Sequence, residues 1–520
     1  MTGPFGSLRD YLKAVDELGQ VLHVDKVDQD AFEATGFMYA LIDKVGWGEA
    51  PIVSFNQVKT GGRWLKGPVI GNPWGRWEYE PMAFGVSAQG TNQRELYRST
   101  LTKLETLVDE NGQWPALEPT EINREDAPCK EVTLLDDAID LTQFPFLKTN
   151  PADGGPYINT GNVILEDPKY GRNAGTYRCQ IKGPRKIGVN PERNQHGWTF
   201  LMDMKDRGEP FARAAVILGA DPIVFAMSSS KTTRLGQDEL KVAGGFLGRP
   251  VEVVKCETSD LRVPANVEMV IEGEIPFDFE PEGPFGEMYG YVGELKPENF
   301  FMNVTAVTHR KNPVFINNFT GIHRGFLTSP LEMTSNLNYR KQFPSVLSVH
   351  FPLQTPGYCF IQIKKTRPGD AIKIGSEISK TLKIAKIAIV VDEDVDVHNF
   401  TEVMHAVGSR WQPQQATQII DQAGAMGGDP SSPTRGSGSR IVIDATRKQP
   451  DEGGPEVYAK MNRECLLAEA PDIFTHIDDK FGDLINGWKS EVAVKKSRIA
   501  STQRSGSSRM MNEVPPSSSA

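Results

Sequence analysis

The stretch VEVVKCETSDLRVPANVEMVIEGEI, residues 251–275, decides the fold class of this chain. Its two ends are short β-rich runs, and turn-forming residues separate them. Similar runs lie on both sides: YINTGNVILED (157–167), TYRCQIKG (176–183) and NFFMNVTAVTHR (299–310). The sequence therefore predicts a predominantly antiparallel sheet or split barrel over about 132–321. The segment GWTFLMDMKDRGEPFARAAVILG (197–219) has apolar residues at helical spacing and is expected to be a helical insertion.

The flanking regions have a different pattern. Apolar residues at helical spacing predict a helix from about Leu8 to Leu18, and VLHVDKV (21–27) then alternates like a strand. Near the carboxyl end, strand-like YCFIQIKK (358–365), KIAIVVDEDVDV (386–397) and RIVIDAT (440–446) are separated by helix candidates. This alternation predicts a third, α/β layer with a largely parallel sheet.

The predicted class is α/β, an α+β multidomain chain. The predicted parts are an amino-terminal α/β domain (1–125), a central split-barrel domain (126–325), a linking helix (326–350), a carboxy-terminal α/β domain (351–494) and a disordered tail (495–520).

Composition excludes several functional classes. The chain has 520 residues and a net charge of −10, with acidic and basic residues mixed. Nucleic-acid binding requires clustered positive charge, which this mixed pattern lacks, so no nucleic-acid partner is expected. A membrane span needs roughly 18 consecutive apolar residues, and no run in the sequence approaches that length, so no membrane partner is expected. The first residues lack the pattern of a secretory signal, which predicts a cytoplasmic protein. The five cysteines contain no CxxC pair, so neither a zinc cluster nor a disulfide framework is indicated.

The stretch PEGPFGEMYGYVGE (281–294) places Glu282 and Glu287 on either side of a Gly-Pro-Phe-Gly turn. Gly283 and Gly286 permit sharp backbone angles, so the turn can hold both carboxylates near one pocket. Two close carboxylates repel, so one should have a raised pKa unless a cation lies between them. Taken alone, the motif is more typical of a surface turn with acidic flanks than of a functional site.

A second motif, NAGTYRCQ (173–180), supplies a candidate cation. In a strand-like run, Tyr177 and Arg178 point to opposite faces, and Arg178 is the candidate to face inward. Its planar fork suits a carboxylate of the protein or of a substrate. An ordinary structural ion pair is the alternative.

Three further residues form a candidate metal set. Asn173, His196 in NQHGW and Glu239 in GQDELKVAGG offer an amide oxygen, an imidazole and a carboxylate. Such mixed ligands suit Mn²⁺ or Mg²⁺ better than a metal that prefers thiolates. A lone His is often only a hydrogen-bonded structural residue, and the sequence leaves that reading open.

Together these segments resemble the UbiD family of decarboxylases, which use prenylated flavin mononucleotide (FMN). The resemblance rests on NAGTYR, NQHGW, DELKVAGGFLG, the 251–275 block, EGPFGEMYGY and, more loosely, GSRIVIDAT. It extends in the family's order from LRDYL (8–12) to about Trp488.

The resemblance implies roles for particular residues. Arg178, Glu282 and Glu287 match the family's catalytic set, and Asn173, His196 and Glu239 match the ligands of a divalent metal, usually Mn²⁺. A potassium ion close by is implied near 226–230. The implied cofactor-binding residues are Asn173, Thr176, Tyr177, Arg178, Gln195, His196, Ser228, Ser229, Glu239 and Arg440.

The expected reaction is reversible non-oxidative decarboxylation of an aromatic, heteroaromatic or α,β-unsaturated carboxylic acid. Glu287 would deliver the proton to carbon, and Glu282 would hold Arg178. The resemblance also implies a homodimer or larger homo-oligomer and dependence on a prenyltransferase that supplies the cofactor. Two alternatives remain at this point: a glycoside hydrolase that uses Glu282 and Glu287, and a non-catalytic flavin- or metal-binding subunit.

Overall fold

A computed structural model gives the structure of the chain and describes residues 3–87, 93–193, 195–352 and 354–485. Residues up to Arg447 form one compact unit, and a second unit starts at Lys448. The predicted tail at 495–520 lies outside the described residues. None of the helices in the described ranges combines the length and the hydrophobicity that crossing a bilayer requires.

The amino-terminal part is a small α/β layer. Its elements are α1 (Leu8–Glu17), β1 (Val21–Asp28), α2 (Glu33–Val45), β2 (Ile52–Thr60), β3 (Arg63–Gly71), α3 (Tyr79–Ala83), α4 (Gln93–Glu105) and β4 (Thr120–Glu121). Ser7 caps α1, because its hydroxyl accepts a hydrogen bond from the Asp10 N–H at 3.2 Å. Strand β1 pairs in parallel with β2, which pairs antiparallel with β3. The helix and strand predicted for 8–27 are confirmed.

The central part carries most of the strands. Its elements are β5 (Val132–Leu135), β6 (Tyr157–Ile158), β7 (Asn162–Asp167), β8 (Gly171–Thr176), β9 (Cys179–Gly183), β10 (Lys186–Val189), α5 (His196–Asp206), β11 (Phe211–Leu218), α6 (Pro222–Ser229), α7 (Glu239–Leu247), β12 (Glu252–Lys255), β13 (Arg262–Pro264), β14 (Met269–Pro276), β15 (Glu280–Glu282), β16 (Phe285–Gly286), β17 (Val292–Gly293), β18 (Lys296–His309) and β19 (Phe315–Ile316). A ten-stranded sheet follows the order β6-β9-β10-β18-β14-β11-β7-β8, and β5 and β15 also pair with β18. The pairs on this path are antiparallel, as predicted. Strand β19 leaves the central part and pairs with β3.

Two local predictions in the central part are wrong. The segment 197–219 is helical only as far as Asp206, and its second half forms strand β11 in the middle of the sheet. Gly208 has a φ of 78° and breaks the segment. The run 176–183 is interrupted, since β8 ends at Thr176 and β9 begins at Cys179. Arg178 therefore lies between two strands and not within one.

The carboxy-terminal part begins with the predicted linking helix. Its elements are α8 (Ser329–Gln342), β20 (Val346–His350), β21 (Tyr358–Ile363), α9 (Asp370–Thr381), β22 (Ile387–Asp392), α10 (Phe400–Arg410), β23 (Thr417–Gly424) and β24 (Ser437–Asp444). The strand order is β20-β21-β22-β24-β23, and the three inner strands are parallel. Separate apolar clusters cover the two faces of this sheet, which explains why its inner strands are continuous apolar runs.

In the second unit, the described residues include α11 (Asn462–Glu469). The mixed α/β multidomain class predicted from the sequence is confirmed. The domain boundaries at 125, 325, 350 and 494 stay predictions.

Candidate functional site

The turn between β15 and β16 holds the two predicted acids. Glu282 is the last residue of β15 and its side chain is fully buried, whereas the Glu287 side chain is 18% exposed. Gly283 has a φ of 97°, a conformation that residues with a Cβ rarely adopt, so the bend requires glycine there. The turn therefore presents one sealed carboxylate and one that solvent reaches.

Arg178 lies between these two carboxylates. Its Nε and Nη2 donate to Oε1 and Oε2 of Glu282 at 3.0 and 2.9 Å, and its Nη1 donates to Oε1 of Glu287 at 2.7 Å. Two parallel bonds to one carboxylate fix the plane of the guanidinium as well as its position. The sequence left two arrangements open, a raised carboxyl pKa or an intervening cation, and the structure has the cation.

Aromatic side chains complete this clamp, which we define as Arg178, Glu282, Glu287, Tyr157 and Phe285. The Tyr157 hydroxyl donates to Glu282 Oε1 at 2.8 Å, and the Arg178 guanidinium lies 4.6 Å from the Phe285 ring centre. Burial opposes the charge on Arg178, but Glu287 and Glu282 outweigh it and raise its pKa. Burial, assisted by Glu282, raises the pKa of Tyr157. Arg178 therefore stays cationic, and Tyr157 stays a neutral donor, throughout the physiological pH range.

The three predicted metal ligands also lie together. Glu239 is the first residue of α7 and His196 the first residue of α5; Glu239 Oε1 lies 3.9 Å from His196 Nδ1. Asn173 is buried in β8, and the N–H of the next residue, Ala174, donates to Glu239 Oε2 at 2.8 Å. The Tyr177 hydroxyl accepts from Asn173 Nδ2 at 3.4 Å and from the Gly197 N–H at 2.9 Å. Strand β8 and the amino termini of helices α5 and α7 thus bring the three side chains to one place.

Glu239 has a chemical environment that suits a cation. It is 3% exposed, and its Oε1, the oxygen that faces His196, also accepts from the Thr233 hydroxyl at 2.7 Å. Among the described residues, no Lys or Arg forms an ion pair with it, and His196 is its one basic partner. A buried carboxylate normally requires a counter-charge. The amino termini of α5 and α7 add partial positive charge, which favours a phosphate nearby.

Other predicted cofactor residues have structural contacts of their own. Thr176 Oγ1 accepts from Asn162 Nδ2 at 2.7 Å, and Gln195 Oε1 accepts from the Glu192 N–H at 2.7 Å just before α5. Ser228 and Ser229 lie in the last turn of α6, where each hydroxyl donates at 2.8 Å to a carbonyl four residues earlier.

Arg440 is placed differently from the other predicted cofactor residues. It lies in β24, and its Nη1 and Nη2 donate to the backbone carbonyls of Ser379, Leu382 and Gly424. These contacts hold the end of α9 to the sheet, so the structure does not bring Arg440 to the metal set. Arg435, in the loop between β23 and β24, binds Glu192: its Nη2 donates to Glu192 Oε1 at 2.9 Å.

The loop after β23 covers the clamp from the carboxy-terminal side. A Cβ on Gly428 would lie 3.5 Å from Glu287 Cβ, and the Tyr289 hydroxyl lies 4.0 Å from Met426 Sδ. Lys296 binds the same carboxylate as Arg435, and its Nζ lies 2.5 Å from Glu192 Oε1. The sequence interpretation missed Tyr157, Phe285 and Lys296. Phe285 lies inside the quoted acidic turn, and that position was the available signal.

Comparison with known proteins identifies the family. Residues 120–323 match the model of the 3-octaprenyl-4-hydroxybenzoate carboxy-lyase Rift-related domain (UbiD), and residues 327–445 match that of the carboxy-lyase C-terminal domain (UbiD_C). An uncharacterized protein of Archaeoglobus fulgidus is 34% identical over 63% of this chain and 69% of its own length. A phenolic acid decarboxylase of Sedimentibacter hydroxybenzoicus is 29% identical over 93% of this chain and 99% of its own length.

Solved structures agree with these matches. The closed form of the vanillic acid decarboxylase of Sedimentibacter hydroxybenzoicus has a TM-score of 0.75 at 27% identity, covering 92% of this chain and 99% of its own. The UbiD-class enzyme HmfF of Pelotomaculum thermopropionicum, in complex with FMN, has a TM-score of 0.72 at 29% identity, covering 89% and 100%. An evolved dimeric form of HmfF, in complex with prenylated FMN, has a TM-score of 0.70 at 27% identity, covering 88% and 97%.

Proposed function

The chain belongs to the UbiD family of decarboxylases, and we propose that it reversibly decarboxylates an aromatic, heteroaromatic or α,β-unsaturated carboxylic acid with prenylated FMN as cofactor. The observation that carries the proposal is one arginine shared between a sealed and a solvent-accessible carboxylate. Such an arrangement can bind a substrate anion and move a proton at the same place.

The residues present fit the proposed cofactor and its metal. Asn173, His196 and Glu239 supply one amide, one imidazole and one carboxylate, a set that suits Mn²⁺ or Mg²⁺. The two helix amino termini beside them would bind the flavin phosphate, and backbone around 226–230 is the proposed place for K⁺. When bound, prenylated FMN would supply the electron sink that decarboxylation requires and that no side chain offers.

Arg178 is the proposed substrate anchor. A guanidinium has five N–H groups, and three of those on Arg178 are committed to Glu282 and Glu287. The remaining donors can bind the substrate carboxylate without disturbing the clamp. Glu282 is the positioning residue, because it is sealed and binds Arg178 through both oxygens. The Phe285 ring, stacked on the same guanidinium, excludes water from one face.

Glu287 is the proposed proton donor. After CO₂ leaves, carbon needs a proton, and Glu287 is the acid of the clamp that solvent can recharge, since its side chain is 18% exposed while Glu282 has none exposed. In the carboxylation direction, the same carboxylate would take the proton from carbon. This division of roles rests on the burial of the two acids and on the two bonds between Glu282 and Arg178.

Neither alternative from the sequence fits as well. A glycoside hydrolase needs two carboxyl groups that flank a sugar bond and act separately, whereas Arg178 binds both acids at once. The family match excludes this reading. A non-catalytic subunit would not need a proton donor that exchanges with solvent. By analogy with the dimeric HmfF form, we also propose a homo-oligomer, loaded by a prenyltransferase.

A substrate panel tests the proposal. Protein produced together with a prenyltransferase is offered hydroxylated benzoates, pyrrole and indole carboxylates, phenazine-type acids and cinnamates, and CO₂ release is measured. We expect a modified-flavin absorbance spectrum, turnover of at least one class, and deuterium in the product carbon in D₂O. A flavin-loaded protein that releases no CO₂ from any class would refute the catalytic proposal.

A further inference from the structure

A second group of metal-binding side chains lies where α8 meets the carboxy-terminal sheet. Glu332 is in the first turn of α8, His350 is the last residue of β20, and His398 follows β22. One ligand atom from each residue lies within 4.8 Å of the other two. None of these residues belongs to the clamp or to the Asn173, His196 and Glu239 set, and the proposed decarboxylation does not use them.

The spacing of these atoms suits a single ion. His350 Nδ1 lies 3.0 Å from both oxygens of Glu332, and His398 Nε2 lies 3.2 Å from Glu332 Oε1. The two imidazole ring centres are 4.6 Å apart. Ligands bound to a transition metal at about 2.0–2.2 Å are separated from one another by about 3.0–3.5 Å. An ion can therefore replace the hydrogen bonds with little movement of the side chains.

The charge of Glu332 needs a cation. Its side chain is fully buried, and besides the two histidines its oxygens accept from the Tyr97 hydroxyl at 3.2 Å and the Phe351 N–H at 3.3 Å. No Lys or Arg of the described ranges forms an ion pair with it; Arg324 pairs with Glu80 instead. A buried carboxylate without a cationic partner is costly. The remaining choices are a proton on an imidazole and a metal ion.

The surroundings of His398 resemble those of a metal ligand. Its other ring nitrogen, Nδ1, lies 3.5 Å from Asp396 Oδ1, and Arg98 in turn holds Asp396. A carboxylate behind the ring is the usual way in which ligating histidines are oriented. His398 and Met333 also line a cavity of about 410 Å³, which gives an ion and its water ligands a route from solvent.

We propose that Glu332, His350 and His398 bind one divalent transition-metal ion. Two imidazole nitrogens and one carboxylate oxygen suit Zn²⁺, Co²⁺ or Fe²⁺, and water from the cavity completes the coordination. Because the ligands come from α8, from β20 and from the loop after β22, the ion fastens the linking helix to the carboxy-terminal sheet. The proposal does not depend on the proposed decarboxylation.

The test separates this site from the flavin-phosphate metal. The variant His196→Ala removes one ligand of the Asn173, His196 and Glu239 set. This variant is treated with a chelator and then titrated with Co²⁺ and, separately, with Zn²⁺. Metal content is measured after desalting. We expect one equivalent bound. Adding His398→Gln should weaken binding at least tenfold, whereas the exposed His405→Gln, a matched control in α10, should leave it unchanged.

X-ray absorption at the zinc edge provides a measurement that does not depend on how well the His398→Gln protein folds. The Zn²⁺ form of His196→Ala should show two imidazole ligands and one or more oxygen ligands. Less than a tenth of an equivalent of metal at saturating Co²⁺ and Zn²⁺ would overturn the proposal, as would equal affinity in the His398→Gln and His405→Gln proteins. In either case the cluster would be a hydrogen-bonded network neutralised by a proton.

Discussion

Replacing Gly154 with alanine should damage the clamp without touching any of its side chains. The Gly154 N–H donates to the Pro284 carbonyl at 2.8 Å, so the loop at 154 packs directly on the acidic turn. An added Cβ would lie 2.1 Å from the Gly283 carbonyl oxygen and 2.7 Å from its carbonyl carbon. Real Cβ atoms do not approach closer than 3.0 Å, so the two backbones must separate by about 1 Å.

The expected effect is large on activity and moderate on stability. Gly283 follows Glu282 directly, so the shift passes to the carboxylate that positions Arg178. A misplacement of about 1 Å costs roughly 10²-fold in rate, and overpacking of this kind costs about 1–3 kcal/mol of folding free energy. The assay is kcat on the best acid of the panel, with thermal denaturation of the same samples.

Gly155→Ala is the matched control. Its Cβ would lie 3.6 Å from Gln180 Nε2 and 3.7 Å from the Ile181 carbonyl oxygen, which are ordinary contacts. We expect it to change stability by no more than about 0.5 kcal/mol and to keep wild-type kcat. If Gly154→Ala keeps a kcat within about threefold of the Gly155→Ala protein, the turn does not control the position of Glu282 and the reasoning fails.

Three further predictions concern single side chains. Glu287→Gln should retain the flavin spectrum yet lose CO₂ release and deuterium incorporation; near-normal turnover would exclude it as the proton donor. Glu282→Gln breaks a buried ion pair and should lower the free energy of unfolding by about 3–5 kcal/mol. The control is Glu280→Gln, in the same strand but in partly exposed ion pairs, which should lower it by no more than about 1 kcal/mol. Thermal denaturation of the two proteins measures the difference. Burial lowers the pKa of His323 from 6.5 to about 4. Between these two pH values the histidine is protonated in the unfolded chain but neutral in the folded chain, so the free energy of unfolding falls as pH drops from 6.5 towards 4. His323→Gln should flatten that part of the thermal-stability profile, and an unchanged slope would contradict the assignment.

Local patterns in the sequence predicted most of the element order but not the central strand β11. That strand is almost entirely buried within the sheet, so its apolar residues lack the alternation that marks a strand with one exposed face. The direction of Arg178 was expected from strand alternation, yet the residue lies between β8 and β9. Its inward position comes from the bonds to Glu282 and Glu287, which no local pattern encodes.

The metal set illustrates a second limit of the sequence. Asn173 and Glu239 are 66 positions apart, and the sequence offers only three ligand types with no characteristic spacing. They meet because a strand and the amino termini of two helices converge, which is a property of the packed sheet. Their ligand types made the three residues a candidate set, and the resemblance to a family then implied that they share one ion. Tyr157 was missed because nothing in its own segment marks a tyrosine as the partner of a carboxylate 125 residues later.

The clamp draws nearly all of its contacts from one short piece of chain. Glu282, Phe285 and Glu287 all bind or stack on Arg178, and they lie within six consecutive positions. The loop at 425–436 covers this group but contributes no hydrogen bond to Arg178 among the described residues. Variation in that loop should therefore alter which acid is captured and how fast product escapes. The intrinsic solvent isotope effect of the proton-transfer step should stay constant. Substitutions in the loop at 425–436 can therefore change the substrate of the enzyme during evolution, while the clamp residues and their proton transfer stay the same.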